Sequence, residues 1–378
     1  MRKILIVMGR YLPGYKDGGP VRSIKNLVDR LGTEYEFHIL TVDRDHGDTE
    51  PYSSIQYDTW NQVGNAKVWY VQPGGFTKEV VAKLAADANL VYVCGCFNDY
   101  ARTVMALKKK GVIKTPVVIA SMGLFSPKSF GIKRPKKKAY MTVLKCLGWF
   151  RNVCWSATTE REANDIRREV GTHASIYIAQ DLPRTVGNVA RNENTTEQLR
   201  VVFLSRISRS KNLGYAIDVL NKWGKKKPQR KLSLDIYGNK EDATYWQECE
   251  EQIRQLPDNV TCRYLGEAAA EQVVETFAKY DLFLFPTVGE NFGHVIYEAL
   301  AGGCIPIISN QTPWTMKELS GIGEILDLDQ QDEWVKALEK YEQMSKTERK
   351  QIAEKCMAFA KNYHFEEAEN GYRTVLNL

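Results

Sequence analysis

The sequence lacks the features that mark membrane, secreted and zinc-binding proteins. No segment approaches the ~18 consecutive apolar residues of a membrane-spanning helix, and the N-terminal apolar stretch, residues 4–8, is too short for a signal peptide. The eight cysteines include no CxxC pair, and the spacing of Cys94 and Cys96 fits neither a zinc site nor a redox motif. We therefore expect reduced thiols in a cytoplasmic protein.

Strong charge is missing as well. The net charge is only +6 over 378 residues, and no zinc-finger or RNA-recognition motif accompanies it. The sequence therefore gives no support for a nucleic-acid partner. Dinucleotide-binding GxGxxG is also absent, which argues against a nicotinamide cofactor.

Strand-like and helix-like segments alternate along the whole chain, and the length favours two domains. We predict the α/β class, with two Rossmann-like doubly wound domains facing each other across a cleft. The first domain would span residues 1–182 and the second domain residues 199–361, with a polar linker at residues 183–198 between them. A terminal helix at about residues 362–378 would pack back on the first domain. Residues 43–65 are polar and aperiodic, so we expect a long loop that lines or covers a site.

A glycine-rich loop follows the first predicted strand. Gly18 and Gly19 stand just before the helical pattern that begins at Val21. Glycines between a strand and a helix let the backbone approach a phosphate or a sugar closely. Such a pair is also found in ordinary tight turns, and the loop alone does not decide between the two.

Residues 285–309 form the most informative segment. An apolar strand ends at Pro286, a loop follows, and helical spacing continues to Gly302 and Gly303. This loop would place backbone N–H groups at a helix N-terminus, which suits a phosphate; its residues are Asn291, Phe292, Gly293, His294 and Val295. Glu290 and Glu298 flank it, and carboxylates accept hydrogen bonds from vicinal hydroxyls of sugars and ribose.

Two cations follow the strand predicted at residues 200–204. Arg206 and Lys211 lie at its carboxyl end, where α/β proteins form ligand crevices. Fixed cations at such a place would suit an anionic ligand. Taken alone, they could equally be surface charges after a strand.

Together these motifs resemble the GT-B glycosyltransferases, specifically the large retaining group called family 4, or glycosyl transferases group 1. The resemblance covers nearly the whole chain and is strongest where residues 290–300 look like the E-x7-E signature of the family. Residues 305–309 and 311–314 are also similar to family segments. The resemblance implies a retaining transfer of a sugar from a nucleotide-sugar, most often a UDP-sugar, to a glycan or lipid-linked hydroxyl in bacterial-type surface polysaccharide synthesis.

The same resemblance assigns roles to individual positions. Glu290 would contact hydroxyls of the transferred sugar, and Glu298 would hold the ribose. Arg206 and Lys211 would neutralise the diphosphate, so we predict Glu290, Arg206 and Lys211 as catalytic. Gly18 and Gly19 would lie near donor and acceptor. No cofactor or metal is expected, because GT-B enzymes generally need none; we interpret the Asp327-Leu-Asp329 pattern as structural.

One departure from the family concerns a histidine that many members carry in the first domain. The matching segment here, residues 120–127, has serine and methionine in its place. Because this histidine is missing, a non-catalytic nucleotide-sugar-binding partner subunit stays open as a rival function. A second rival is a GT-B-shaped nucleotide-sugar epimerase. A glycosidase pair is disfavoured, because the surrounding loop suits phosphate and a neutral glycoside has no use for the two cations.

A basic run precedes a predicted helix in the first domain; its members are Lys133, Arg134, Lys136, Lys137 and Lys138. It is either a solvated charged end of an ordinary core helix or an interfacial element that contacts an anionic membrane. In the second case the protein would be peripheral on the inner face of the cell membrane. The apolar side of this helix would contain Tyr140, Val143, Leu144, Leu147 and Phe150.

Overall fold

A computed structural model describes residues 1–131, 134–187, 189–191, 198–363 and 365–378. Within them the chain forms two compact units. The first contains Met1–Arg184 and the C-terminal segment, and the second contains Thr185–Tyr363. The predicted α/β fold class is confirmed, with one sheet in each unit.

The first unit contains a sheet of eight described strands in the order β3-β4-β2-β1-β5-β6-β7-β8. These strands are β1 (Arg2–Val7), β2 (Tyr35–Val42), β3 (Trp60–Val63), β4 (Ala66–Val71), β5 (Leu90–Cys94), β6 (Val117–Ala120), β7 (Cys154–Ala157) and β8 (Ile176–Ile178). Its helices are α1 (Gly19–Leu31), α2 (Lys78–Ala86), α3 (Asp99–Lys109), α4 (Pro127–Gly131), α5 (Arg134–Cys146) and α6 (Glu160–Val170). Strand β1 pairs in parallel with β2 and β5, so both of its edges are paired, and its residues 4–7 are apolar and buried.

Strand β3 was not predicted. It pairs antiparallel with β4 at the edge of the sheet, inside the segment that the sequence indicates as a long loop. Its four residues have no strict apolar alternation, because an edge strand is only half covered. Trp60 stabilises it by packing edge-on against Trp69 at a centroid distance of 5.4 Å.

The C-terminal segment ends in a helix that packs on the first unit. This helix, Glu366–Leu376, contacts β8, and a Cβ on Gly371 would lie 2.8 Å from the Ile178 carbonyl oxygen. The Tyr372 hydroxyl lies 3.4 Å from the buried carboxylate of Asp181, and Arg373 forms an ion pair with Glu34 at 2.8 Å. Apolar contact and two polar links therefore join this helix to the unit.

The second unit contains a parallel sheet in the order β11-β10-β9-β12-β13-β14. These strands are β9 (Arg200–Leu204), β10 (Leu232–Tyr237), β11 (Val260–Tyr264), β12 (Leu282–Phe285), β13 (Ile305–Ser309) and β14 (Glu324–Leu326). The helices are α7 (Leu213–Lys226), α8 (Ala243–Arg254), α9 (Val273–Phe277), α10 (His294–Ala301), α11 (Gln331–Gln343) and α12 (Lys346–Lys361); the C-terminal helix is α13. Since β9 pairs with β12, the loops that follow these two strands emerge at the same edge of the sheet.

Candidate active site

The strand–loop–helix predicted around Glu290 is present. Strand β12 ends at Phe285, and helix α10 begins at His294. Gly293 has a φ of 79°, and a Cβ there would lie 2.8 Å from the Ile296 side chain. Glycine is needed at this position because other residues adopt a left-handed backbone only with strain. It lets the loop turn tightly into the helix.

Glu290 is held by two side chains at the loop between β12 and α10. Lys211 Nζ lies 2.5 Å from Glu290 Oε1, and the Thr287 hydroxyl lies 3.0 Å from the same oxygen. The Lys211 and Glu290 side chains are only 14% and 12% exposed. Among the described residues, no hydrogen bond reaches Oε2 of Glu290. One carboxylate oxygen is therefore fixed, and the other can accept a bond from a ligand.

The loop that carries Lys211 is joined to the loop that carries Glu290. Asn212 donates from its side-chain amide to the Pro286 carbonyl at 3.0 Å, and the Val288 amide donates to the Ser210 carbonyl at 2.9 Å. Asn212 has a φ of 62° and precedes helix α7 directly. These bonds fix the spacing of the lysine and the carboxylate.

Arg206 lies on the same β9–α7 loop but has a different partner. Its guanidinium contacts both carboxylate oxygens of Glu241, at 2.8 and 2.7 Å. The side chain is 39% exposed, so the pair is solvated. Neither residue contacts Lys211 or Glu290 among the described hydrogen bonds and ion pairs. The structure thus brings Lys211 and Glu290 together and leaves Arg206 on a separate, exposed pair.

The amino end of α10 combines an anchored loop with a helix start. Phe292 is buried, and its carbonyl accepts a hydrogen bond from the Trp314 indole at 2.8 Å. Asn291, His294 and Val295 are partly exposed. In this fully described segment, no acidic residue occupies the first helical turn. The positive end of the helix dipole is therefore not compensated from within that turn, which favours an anionic ligand.

Glu298 lies on α10 and is only 3% exposed. It belongs to the same helix whose amino end follows the Glu290 loop. Its burial means that a ligand would reach only part of this carboxylate.

Gly18 and Gly19 lie in the first unit, at the carboxyl end of β1. Gly18 has a φ of 66° and precedes α1, which begins at Gly19. A Cβ on Gly19 would meet no described atom within 4 Å. Gly18 is thus required by its backbone conformation, whereas Gly19 leaves the surface of the loop open.

A buried carboxylate occupies the region where the family histidine is missing. Glu162 accepts hydrogen bonds from the Ser121 hydroxyl and from the Gly123 amide, the latter at 2.7 Å. Its other oxygen accepts from the amide and the hydroxyl of Thr158, both at 2.7 Å. Sequence reasoning missed this residue, although the T-x-x-E capping pattern at Thr159 was a usable signal.

Asp327, which the sequence analysis interprets as structural, lies in the turn after β14. Asp327 accepts hydrogen bonds from the Asp329 amide at 2.9 Å and from the Asn310 side chain at 3.1 Å. Within the described part of the chain, no group of three or more His, Cys, Asp or Glu residues could hold a metal ion.

Among the described residues, no helix is long and apolar enough to cross a bilayer.

Solved structures with this two-unit fold are numerous. Anabaena HepE, in complex with UDP and glucose, is 15% identical, with 100% of each chain covered and a TM-score of 0.68. Sucrose-phosphate synthase from Thermosynechococcus elongatus is 15% identical. The match covers 100% of this chain and 98% of that chain, with a TM-score of 0.70. The E. coli trehalose-6-phosphate structure bound with UDP-2-fluoro glucose is 12% identical. The match covers 99% of this chain and 98% of that chain, with a TM-score of 0.65. At these identities the likeness establishes the GT-B fold.

The sequence comparisons agree with that fold. No curated protein matches the chain in sequence. Residues 188–356, however, match the model of a family described as Glycosyl transferases group 1, and this segment contains both Lys211 and Glu290. Residues 188–356 are therefore similar to the glycosyl transferases group 1 family, and the chain as a whole has the GT-B fold.

Proposed function

We propose that the protein is a retaining glycosyltransferase that moves a sugar from a nucleotide-diphosphate sugar to a hydroxyl of a glycan or lipid-linked acceptor. The observation that carries this proposal is the Lys211–Glu290 pair at the carboxyl ends of β9 and β12, beside the amino end of α10. It combines a cation, a carboxylate and a helix N-terminus at one edge of the sheet. These groups suit a ligand that has both a phosphate and hydroxyls.

Each group has a distinct role in this proposal. Lys211 and the amides of α10 would bind the diphosphate and stabilise the charge it gains as it departs. Glu290, fixed through Oε1, would accept a hydroxyl of the donor sugar on Oε2. Glu298 would accept the ribose hydroxyls, as the family resemblance implies. Arg206 would reach the diphosphate only after exchanging its bond to Glu241, which its exposure permits.

Retention would follow from attack on the same face that the diphosphate leaves. We assign no covalent nucleophile, because Glu290, whose Oε1 is bound by Lys211, has the role of holding the donor sugar through Oε2. Front-face attack needs the acceptor and the departing phosphate to be positioned and the developing charge to be stabilised. A UDP-sugar is the proposed donor, since two of the similar structures hold UDP or a UDP-sugar analogue. Surface polysaccharide synthesis is the proposed setting.

A contact with anionic membrane is part of the proposal. Lys133 lies outside the described residues, but α5 exposes Arg134, Lys136 and Lys138. The apolar side predicted for this helix was wrong in part: Met141 and Leu144 are buried, whereas Val143 and Leu147 are 55% and 50% exposed. Val143 lies on the outward side of α5 because Met141 and Leu144 fill the core-facing positions, and Leu147 lies just beyond the end of the helix. Exposed cations beside exposed apolar side chains suit an anionic lipid surface.

The proposal is tested by binding and then by turnover. A thermal-shift screen with UDP-, GDP- and ADP-sugars should show one class of ligand that raises the melting temperature, since a ligand at 100 times its Kd stabilises by about 2.7 kcal/mol. The radiolabelled donor is then incubated with and without a lipid-linked glycan extract. Transfer that needs the acceptor supports the proposal. An isomerised sugar nucleotide without acceptor indicates an epimerase, and binding without turnover indicates a partner subunit.

A further inference from the structure

A buried carboxylate lies beneath the glycine-rich loop of the first unit. Asp45 is 4% exposed and follows β2 in the segment that the sequence indicates as a loop covering a site. Its Oδ2 accepts the backbone amides of Tyr15 and Lys16, at 2.8 and 3.2 Å. Its Oδ1 accepts the amide of His46 at 2.8 Å. Hydrogen bonds to a charged acceptor are among the stronger ones in proteins.

Gly14 makes this contact sterically feasible. A Cβ at Gly14 would collide with the Tyr52 hydroxyl and would lie 3.0 Å from Asp45 Cγ. Glycine therefore lets the loop approach the carboxylate without displacing Tyr52. The Tyr15 carbonyl accepts the Gly18 amide at 3.1 Å, so the backbone of Tyr15 is fixed on both sides.

One ion pair and one hydrogen bond to a histidine join the same two loops through side chains. Lys16 Nζ lies 2.5 Å from Asp48, and His46 Nδ1 lies 2.9 Å from Asp17. The carboxylate of Asp48 is 43% exposed and the ring of His46 is 68% exposed, so solvent screens both pairs. Asp45 alone among these side chains is buried and bonds the loop backbone.

We propose that Asp45 is a positioning residue that holds the glycine loop, residues 14–19, in the conformation that receives the sugar nucleotide. This rests on the proposed function. The open surface at Gly19 and the Tyr15 ring, 61% exposed, are the parts of the loop left available to a ligand. Asp45 itself touches no substrate; it fixes the backbone that does.

The test compares D45A, D45N and D48A. Asparagine keeps one acceptor oxygen for the amides of Tyr15 and Lys16, whereas alanine keeps none. Hydrogen exchange of residues 14–19 should be about tenfold faster or more in D45A, partly restored in D45N and unchanged in D48A. With UDP-glucose as the probe, D45A should raise KM by about tenfold or more with a smaller change in kcat, and D45N should recover most of it.

Each outcome bears on a different claim. Unchanged exchange in D45A would overturn the proposal, as would faster exchange with unaltered KM. An equal loss of kcat and melting temperature in D45A and D45N would also overturn it, because that result indicates a general structural role. A wild-type protein that neither binds nor turns over any nucleotide-sugar would refute the proposed function instead, while the exchange rates would still decide whether Asp45 holds the loop.

Discussion

Lys211 and Glu290 form an ion pair with an Nζ–Oε1 distance of 2.5 Å, although 79 positions separate them in the sequence. Both side chains are largely covered. The pair exists because β9 and β12 are neighbours in the sheet and their following loops are joined by hydrogen bonds. It places a cation beside the carboxylate that the family resemblance assigns to the donor sugar.

The first prediction concerns this pair. E290Q keeps the size of the side chain but removes its charge, and K211M removes the cation; each should lower kcat/KM for transfer from UDP-glucose by about 10²–10³-fold. E248Q is the matched control, because Glu248 pairs with Arg209 and is 50% exposed. Steady-state kinetics measures all three. Wild-type rates in E290Q would remove Glu290 from the mechanism.

The second prediction separates Arg206 from its partner. R206A should raise KM for UDP-glucose about tenfold, since one charge-assisted contact to the diphosphate is lost. E241A releases Arg206 from its ion pair and should leave KM equal or lower. R209A is the control, because its side chain is 59% exposed and pairs with Glu248. If R206A and R209A behave alike, Arg206 has no special role.

The third prediction concerns Glu162. E162A leaves four donors without their acceptor: two buried ones on Ser121 and Gly123, and two half-buried ones on Thr158. The unfolding free energy should fall by about 3 kcal/mol or more. Urea titration measures it, with E160A as control, because Glu160 is 72% exposed and should change stability by under about 0.5 kcal/mol. Equal effects of the two variants would contradict the importance of this network.

The fourth prediction is a pH dependence. Burial raises the pKa of Asp181 to about 7, with the Ser23 hydrogen bond opposing the shift. The folded state thus favours the protonated carboxyl of Asp181. The stabilisation that this preference gives to the fold is complete below about pH 4, near the pKa of an unfolded aspartate, and is lost as the pH rises to about 7. Relative to D181N, the unfolding free energy should fall across this window by up to about 1.4 kcal/mol per pH unit. Parallel stability curves for the two proteins would refute the shift.

The fifth prediction tests the membrane contact. Charge reversal at Lys136 and Lys138 should reduce sedimentation with vesicles rich in phosphatidylglycerol, and V143D with L147D should reduce it further. Neutral phosphatidylcholine vesicles should bind the wild-type protein weakly. The matched control reverses Lys222 and Lys225, which lie on α7 of the other unit. Equal binding by all variants would leave the basic run as an ordinary solvated surface.

Local patterns in the sequence determined much of the fold. The strand–loop–helix–strand around Glu290, the glycine loop before α1 and the alternation of strands and helices follow from apolar periodicity and glycine position, which act over a few residues. Strand β3 did not follow, because a short edge strand has no buried face to enforce alternation. The exposure of Val143 and Leu147 did not follow either, since packing turns Met141 and Leu144 to the core instead of Val143, and Leu147 lies beyond the end of α5.

The side-chain partners were decided only by the tertiary structure. Strand order brings Lys211 to Glu290 and Arg206 to Glu241, and it buries Asp45 and Glu162 beneath loops from other parts of the chain. The residue types at these positions were visible in the sequence, and the family resemblance indicated several of their roles. The geometry of these side chains was not visible in the sequence, because contacts between residues 30–80 positions apart depend on which strands are neighbours in the sheet. The sequence thus determined which groups are available, and the fold determined which of them act together.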